Sequence, residues 1–435
     1  MTGPMSGPRL RIGPIAVFLT VTLIVAACSD GDGESATTDP SSTPTSIESE
    51  EIEGGTEVEG GEETDVVSGW DIDAALAANP NCAAPVTGDP LRIGYAADLS
   101  PIGGPADAPG SQAAQHMAKL INCSGGIDGK PVEVIVSDVS GDPLATRDAT
   151  NGLLANDVHV LLGPPFPDPG FRILQVTRGQ YPVIFTGSTE PALGDHTALS
   201  YLVAFNDTQG ATVAAQFALS SGWSRAVTFS SQGPYFGYNS LVFQQVFEET
   251  GGEIIGDYEF VPFETTDFAE AVAQIAADPP DVIYTPMFAF QLVELRQQLE
   301  AAGVTVEYLQ SDAFEATGGY GLANTDGIYH VTHAFPSEGS RIDVLNASLA
   351  ASEGVPSEAP SMVALAGDAM AVIADAYLRV RTTDPVILGN AIADANDVQG
   401  VTGVLSYNGT GSPTKEIYIH EVVDGSPSLA ATVGG

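Results

Sequence analysis

The stretch Leu91–Asp138, LRIGYAADLSPIGGPADAPGSQAAQHMAKLINCSGGIDGKPVEVIVSD, constrains the fold more than any other part of the chain. Leu91–Ala97 is a short apolar run bounded by turn residues, which predicts a strand. Ser100–Gly110 is crowded with Gly and Pro and reads as a loop. Ser111 is a candidate cap for a helix in which Ala113, Ala114, Met117, Leu120 and Ile121 recur at helical spacing. Gly125-Gly126 ends that helix, Asp128-Gly129 turns the chain, and Val132–Val136 is a second apolar strand. A strand–helix–strand unit pairs its two strands in parallel. The loop after the first strand then lies at the carboxyl edge of the sheet, where open α/β sheets hold ligands, so Ser100 is a first candidate binding residue.

The same alternation continues along the chain. Further strands are predicted at Val158–Leu162, Pro182–Phe185, Tyr201–Phe205, Ala226–Ser230, Glu253–Phe260, Val282–Thr285 and Val306–Gln310, with helical patterns between most of them. Asp168-Pro169 reads as cap and first residue of one such helix, and Tyr235 and Phe236 fall in a loop before another. A long apolar helix, Ser361–Val380, precedes the strands Gly403–Tyr407 and Glu416–Val423. Two βα series in 435 residues predict an α/β protein of two similar Rossmann-like lobes with parallel sheets.

The N-terminus points to a compartment. Arg9 and Arg11 precede the apolar run Ile15–Ala27, which is shorter than the ~20 residues of a bilayer span. It ends in Val25-Ala26-Ala27-Cys28, which resembles a bacterial lipobox. Residues 1–27 are therefore expected to be a lipoprotein signal peptide and Cys28 a lipidation site, with no later stretch long and apolar enough to span. Residues 28–80 are expected to be a disordered acidic tether, since Ser, Thr, Gly and Glu cannot bury enough apolar surface to offset ordering. Lipidating Cys28 leaves Cys82 and Cys123, a pair expected to form a disulfide in an exported protein.

Composition removes other classes. With 14 Lys and Arg against 56 Asp and Glu, no basic patch for nucleic acid is expected. No nucleophile–base set, metal-ligand spacing or dinucleotide fingerprint occurs, so neither an enzyme nor a cofactor or metal is expected.

In order and in local words, residues 91–423 resemble the leucine/isoleucine/valine-binding family of substrate-binding proteins, the type I periplasmic-binding fold. The most specific words are Lys119–Val136, KLINCSGGIDGKPVEVIV, then Asp138 and Asp142-Pro143, Ser188-Thr189-Glu190-Pro191, Phe236-Gly237 and the strand before Tyr284. The resemblance implies two lobes joined by a three-crossing hinge, with crossings near Phe205, His333 and Pro413. It divides the chain into 81–205 and 334–412 for lobe I, and 206–333 and 413–435 for lobe II. It also implies a monomer at the cell surface that captures a small polar molecule (amino acid, amide or related amine or aromatic compound) and delivers it to an ABC importer permease. A ligand-sensing lipoprotein of the same fold, coupled to a membrane receptor, is the alternative. Gly187, Ser188 and Thr189 fall where members bind ligand through backbone and hydroxyl groups, and Asp312 matches the acidic position that pairs with an ammonium. Phe166, Phe236 and Phe288 are candidates for the cleft wall, the last two on opposing loops. Pro167 falls where amino-acid binders place a Ser for the carboxylate, and Asp168 would repel a carboxylate unless it caps its own helix. The ligand expected is thus a cationic or polar head on an apolar body, with Asp312 at the head.

Overall fold

The computed structural model describes residues 69–354 and 359–434. The signal peptide, Cys28 and most of the tether lie outside the described residues. Asp71 caps a short helix α1 (Ile72–Leu76), and the first βα series follows. It comprises β1 (Leu91–Ala97), α2 (Gly104–Cys123), β2 (Val132–Asp138), α3 (Pro143–Leu154), β3 (Val160–Gly163), α4 (Pro167–Thr177), β4 (Val183–Phe185) and β5 (Ser200–Leu202). These strands form one parallel sheet of order β2-β1-β3-β4-β5.

The second series comprises α5 (Asp207–Ser220), β6 (Arg225–Ser230), α6 (Pro234–Glu249), β7 (Glu253–Glu259), α7 (Ala269–Ala277), β8 (Val282–Thr285), α8 (Ala289–Ala301), β9 (Glu307–Gln310), α9 (Ala313–Ala316) and β10 (Ile328–Thr332). Its five strands run in parallel in the order β7-β6-β8-β9-β10. That is the order of the first sheet repeated, so both are doubly wound, with a reversal beside the first strand of each. The chain then returns to the first sheet with α10 (Arg341–Glu353), α11 (Pro360–Val380), α12 (Pro385–Ala393) and the small hairpin β11 (Val398–Gln399) and β12 (Val404–Leu405). It ends on the second sheet with β13 (Ile417–Val423) and β14 (Ser426–Val433), both joined antiparallel. Two parallel-sheet lobes linked by three crossings are thus observed, with α10 and β14 as elements that the sequence pattern did not reveal.

Packing explains one departure from the sequence reading. Helix α2 begins at Gly104 rather than Ser111, and so takes in most of the stretch read as a loop. Pro105 sits in its first turn, where no backbone N–H is needed. Gly103 and Gly110 are required by close approach, not by turning: a Cβ on Gly103 would lie 2.3 Å from the Asp98 carboxylate, and one on Gly110 2.9 Å from the Tyr95 hydroxyl. The other departure concerns α11, which by length and composition is apolar enough to cross a membrane, against the expectation for this region. It is instead the core helix of the first lobe, packed on α2 and buried along most of its length.

Polar groups pin the crossings. Lys415, on the third, donates to Thr402 (2.6 Å), Asp368 (3.3 Å) and the Val203 carbonyl (3.2 Å), so it ties α11 to the first crossing. Burial lowers the Lys415 pKa, and the Asp368 charge opposes that shift. Phe205 on the first crossing stacks on His333 of the second at 4.1 Å. Glu315 of α9 accepts from the backbone N–H (2.7 Å) and hydroxyl (2.9 Å) of Ser361, at the start of α11.

Cys82 and Cys123 are bonded, 41 positions apart in sequence, and this fastens the end of α2 to the segment before β1. Closing such a loop stabilises by roughly 3–4 kcal/mol in the chain-entropy account. We expect thiol titration of the denatured, unreduced protein to find no thiol on these two residues, and reduction to release two and lower the melting temperature. Two free thiols before reduction would refute the bond.

Candidate functional site

The strand order decides where a site can form. In each sheet the loops after the first and third strands diverge at their carboxyl ends, which leaves a crevice. In the first sheet those loops carry Asp98 and Ser100 after β1 and Phe166 after β3. In the second they lead into Tyr235 and Phe236 after β6 and carry Phe288 after β8. The two crevices face one cleft of about 620 Å³. All eight ligand-binding candidates, Ser100, Phe166, Gly187, Ser188, Thr189, Phe236, Phe288 and Asp312, line it.

The placement of the rings differs from expectation. Phe236 and Phe288 are not opposed across the cleft: both belong to the second sheet and meet edge to face at 5.3 Å. Phe236 lies in the first turn of α6, which starts at Pro234, and Phe288 is the residue before α8. Phe166, before α4, supplies the facing apolar wall from the first sheet. Sequence reasoning missed Phe263, on the loop after β7, whose ring lies 4.3 Å from that of Phe288. No pattern in the sequence marks it.

The charges in the cleft have one sign. Asp98, Asp168, Glu190 and Asp312 line it, and no Lys, Arg or His does among the described residues. Asp98 was legible by the same edge argument that selected Ser100. It is held by Asp107, which accepts from the Asp98 backbone N–H (2.6 Å) and from the Tyr95 hydroxyl (2.8 Å). Burial pushes the Asp107 carboxyl up to about 7 despite those bonds. Asp168 does not cap α4: its N-cap is Phe166, which makes no side-chain cap bond, and the Asp168 carboxylate is exposed in the first turn. Glu190 instead caps the turn Pro191–Leu193.

Asp312, just before α9, accepts from the Tyr235 hydroxyl at 2.6 Å and lies 3.3 Å from Nε2 of His333. The Tyr235 oxygen also meets the Ser311 hydroxyl at 2.8 Å. Behind them is Asp207, the first residue of α5, which is 1% exposed. Neither of its carboxylate oxygens makes a hydrogen bond of normal geometry. Burial pushes its carboxyl up to about 8; the Asp312 and Glu190 charges add to this, and polar contact with Thr189 and Asn239 opposes it. Tyr235 and Tyr284 also feel the Asp207 charge, and both phenols are raised, chiefly by burial. In the sequence Asp207 is indistinguishable from an ordinary acidic residue in a first helical turn.

No group of three or more potential metal ligands gathers among the described residues. His330 and His333 go separate ways, the first to Tyr320 (2.8 Å) and the second to Asp312.

Because the folded-state pKa of Asp207 lies above its ordinary value of 3.8, its contribution to stability is fully present below about pH 4. That contribution is lost as the pH rises through about 8. Melting temperature measured across this window should fall less steeply in Asp207→Asn than in the wild type. Some slope of the same sign should remain from Asp107. Equal slopes would show that Asp207 ionises normally.

A sequence profile of the periplasmic binding protein family matches residues 90–427. The Leu/Ile/Val-binding protein BraC3 of Rhizobium johnstonii is 24% identical over 354 residues, 77% of this chain and 92% of that protein. Among solved structures, the branched-chain amino acid transporter substrate-binding protein LivJ of Streptococcus pneumoniae, in complex with isoleucine, superposes with a TM-score of 0.68 at 20% identity. That match covers 80% of this chain and 99% of LivJ. A solute-binding protein of an ABC transporter from Rhodopseudomonas palustris HaA2, in complex with p-hydroxybenzoic acid, gives 0.69 at 18% identity, over 80% and 97% of the two chains.

Proposed function

The chain belongs to the periplasmic binding protein family, and we propose that it is an extracytoplasmic solute-binding lipoprotein that captures a small organic cation between its lobes. In this reading 81–205 with 334–412 and 206–333 with 413–435 move as two bodies about the crossings at Phe205, His333 and Pro413. The lipid on Cys28 holds the protein, as a monomer, to the cell surface, and the cargo passes to an ABC importer permease. The observation that carries the choice of cargo is the charge of the cleft, with four carboxylates and no basic side chain among its described lining. The anionic end of an amino acid or of a benzoate would find no cationic partner there, and with Pro167 at the relatives' Ser position it would face Asp168. Transport relatives that bind isoleucine or p-hydroxybenzoic acid support capture of a small molecule, not these ligands in particular.

Asp312 takes the cationic head, and the aromatic wall takes the body. Removing that charge from a desolvated cleft should cost roughly ten- to a hundredfold in affinity, on the order of 1.5–3 kcal/mol. Calorimetric titration of the wild type and Asp312→Asn with a cation found by thermal-shift screening measures it. Unchanged affinity would remove Asp312 from the site, and tight binding of a dicarboxylate would overturn the polarity assigned to the cleft.

A further inference from the structure

We propose that the cleft selects a quaternary ammonium cation, held by aromatic rings and by a carboxylate already partly engaged by the protein. This rests on the cationic reading above and narrows it. A primary ammonium carries three N–H donors that must each find an acceptor when water is removed. The acceptor at the expected place is Asp312, and the protein already makes one contact to each of its oxygens. The Tyr235 hydroxyl sits on Oδ1 at 2.6 Å, and Nε2 of His333 lies 3.3 Å from Oδ2. His333 is in turn stacked on Phe205 in the hinge, so it is not free to swing aside. The Asp312 carboxylate therefore offers its full negative field with about half of its lone-pair sites already engaged. A trimethylammonium group needs only the field.

The rings beside Asp312 suit the same group. Phe236 stands at 79° to Phe288, and Phe263 lies over Phe288 with its ring tilted by 35°. Tyr235 meets Phe236 edge to face, at 88°. All four rings line the same cleft as Asp312, and a cation against a ring face is stabilised without any hydrogen bond. Phe263 completes the wall at a conformational cost, because its φ is +65°, a left-handed geometry that bulky residues avoid. The loop is fixed in that shape by Gln291, whose amide donates to the Val261 (3.1 Å) and Thr265 (2.9 Å) carbonyls. Phe263 remains 48% exposed, so core packing does not account for its position. The cleft of about 620 Å³ has room for an aromatic or acyl body beside the cationic head.

The series benzylamine, N,N-dimethylbenzylamine and benzyltrimethylammonium keeps body and charge constant while donors fall to none. Calorimetric titration of the full chain at pH 7 should show affinity rising along the series, by about tenfold or more from first to last. Phe263→Leu keeps an apolar side chain but removes the ring face, and because Phe263 is exposed the fold should persist. It should weaken benzyltrimethylammonium more than benzylamine, and so erase most of the gain along the series. Affinity that is flat or falls along the series would overturn the quaternary preference and leave the cationic reading standing. Binding of benzoate with no binding of any of the three amines would overturn both.

Discussion

Two parallel sheets with the same strand order cannot avoid opening a crevice where that order reverses. The rest of this structure follows from that constraint. In the first sheet the reversal lies between β1 and β3, in the second between β6 and β8, and the residues just past those four strands line one cleft. The crossings bring the two crevices together. Their buried ties, Lys415 to Asp368 and Phe205 on His333, join each change of sheet to a core. His333 belongs to both the hinge and the site, because it reaches Asp312 as well.

The second feature that organises the site is the cost of burying like charges. Asp312, Glu190 and Asp207 gather where α5, the Thr186–Glu190 segment and the start of α9 meet, and no basic side chain lines the cleft to neutralise them. Ionised carboxylates so placed are expensive unless paired. Asp107 in the first lobe, its carboxyl near 7, is handled with hydrogen bonds from Tyr95 and from the Asp98 backbone. Asp207 has only the weaker polar contacts of Thr189 and Asn239, and burial raises its carboxyl to about 8. A bound cation would relieve the remaining repulsion. The unfavourable electrostatics of the cleft and the proposed charge of its cargo are thus two sides of one arrangement.

Much of this was legible in the sequence because βα alternation and strand-edge position are local signals. The loops after strands selected Ser100, Phe166 and Phe288, and the family resemblance selected Asp312; all four reach the cleft. What was not legible depended on tertiary contact. The Gly and Pro residues before Ser111 read as helix breakers, whereas Gly103 and Gly110 admit Asp98 and Tyr95 against a helix already begun. Asp168 read as a cap, but the helix starts at Pro167, which leaves the carboxylate exposed in the cleft. Phe236 and Phe288 read as facing one another because each follows a strand, and only the shared sheet shows that they form a single wall. Phe263 gave no signal, since its contribution comes from an unfavourable backbone angle that surrounding contacts impose.

The central claim is that an organic cation lies between the two sheets with its charge at Asp312. A crystal structure of the protein with the tightest-binding cation from a ligand screen tests it most directly. The account predicts the cationic nitrogen within about 6 Å of the Phe236, Phe263 and Phe288 ring centroids and beside the Asp312 carboxylate, with Phe166 covering the ligand from the other lobe. A ligand bound outside the cleft, or one whose anionic or neutral end lies against Asp312, would contradict it.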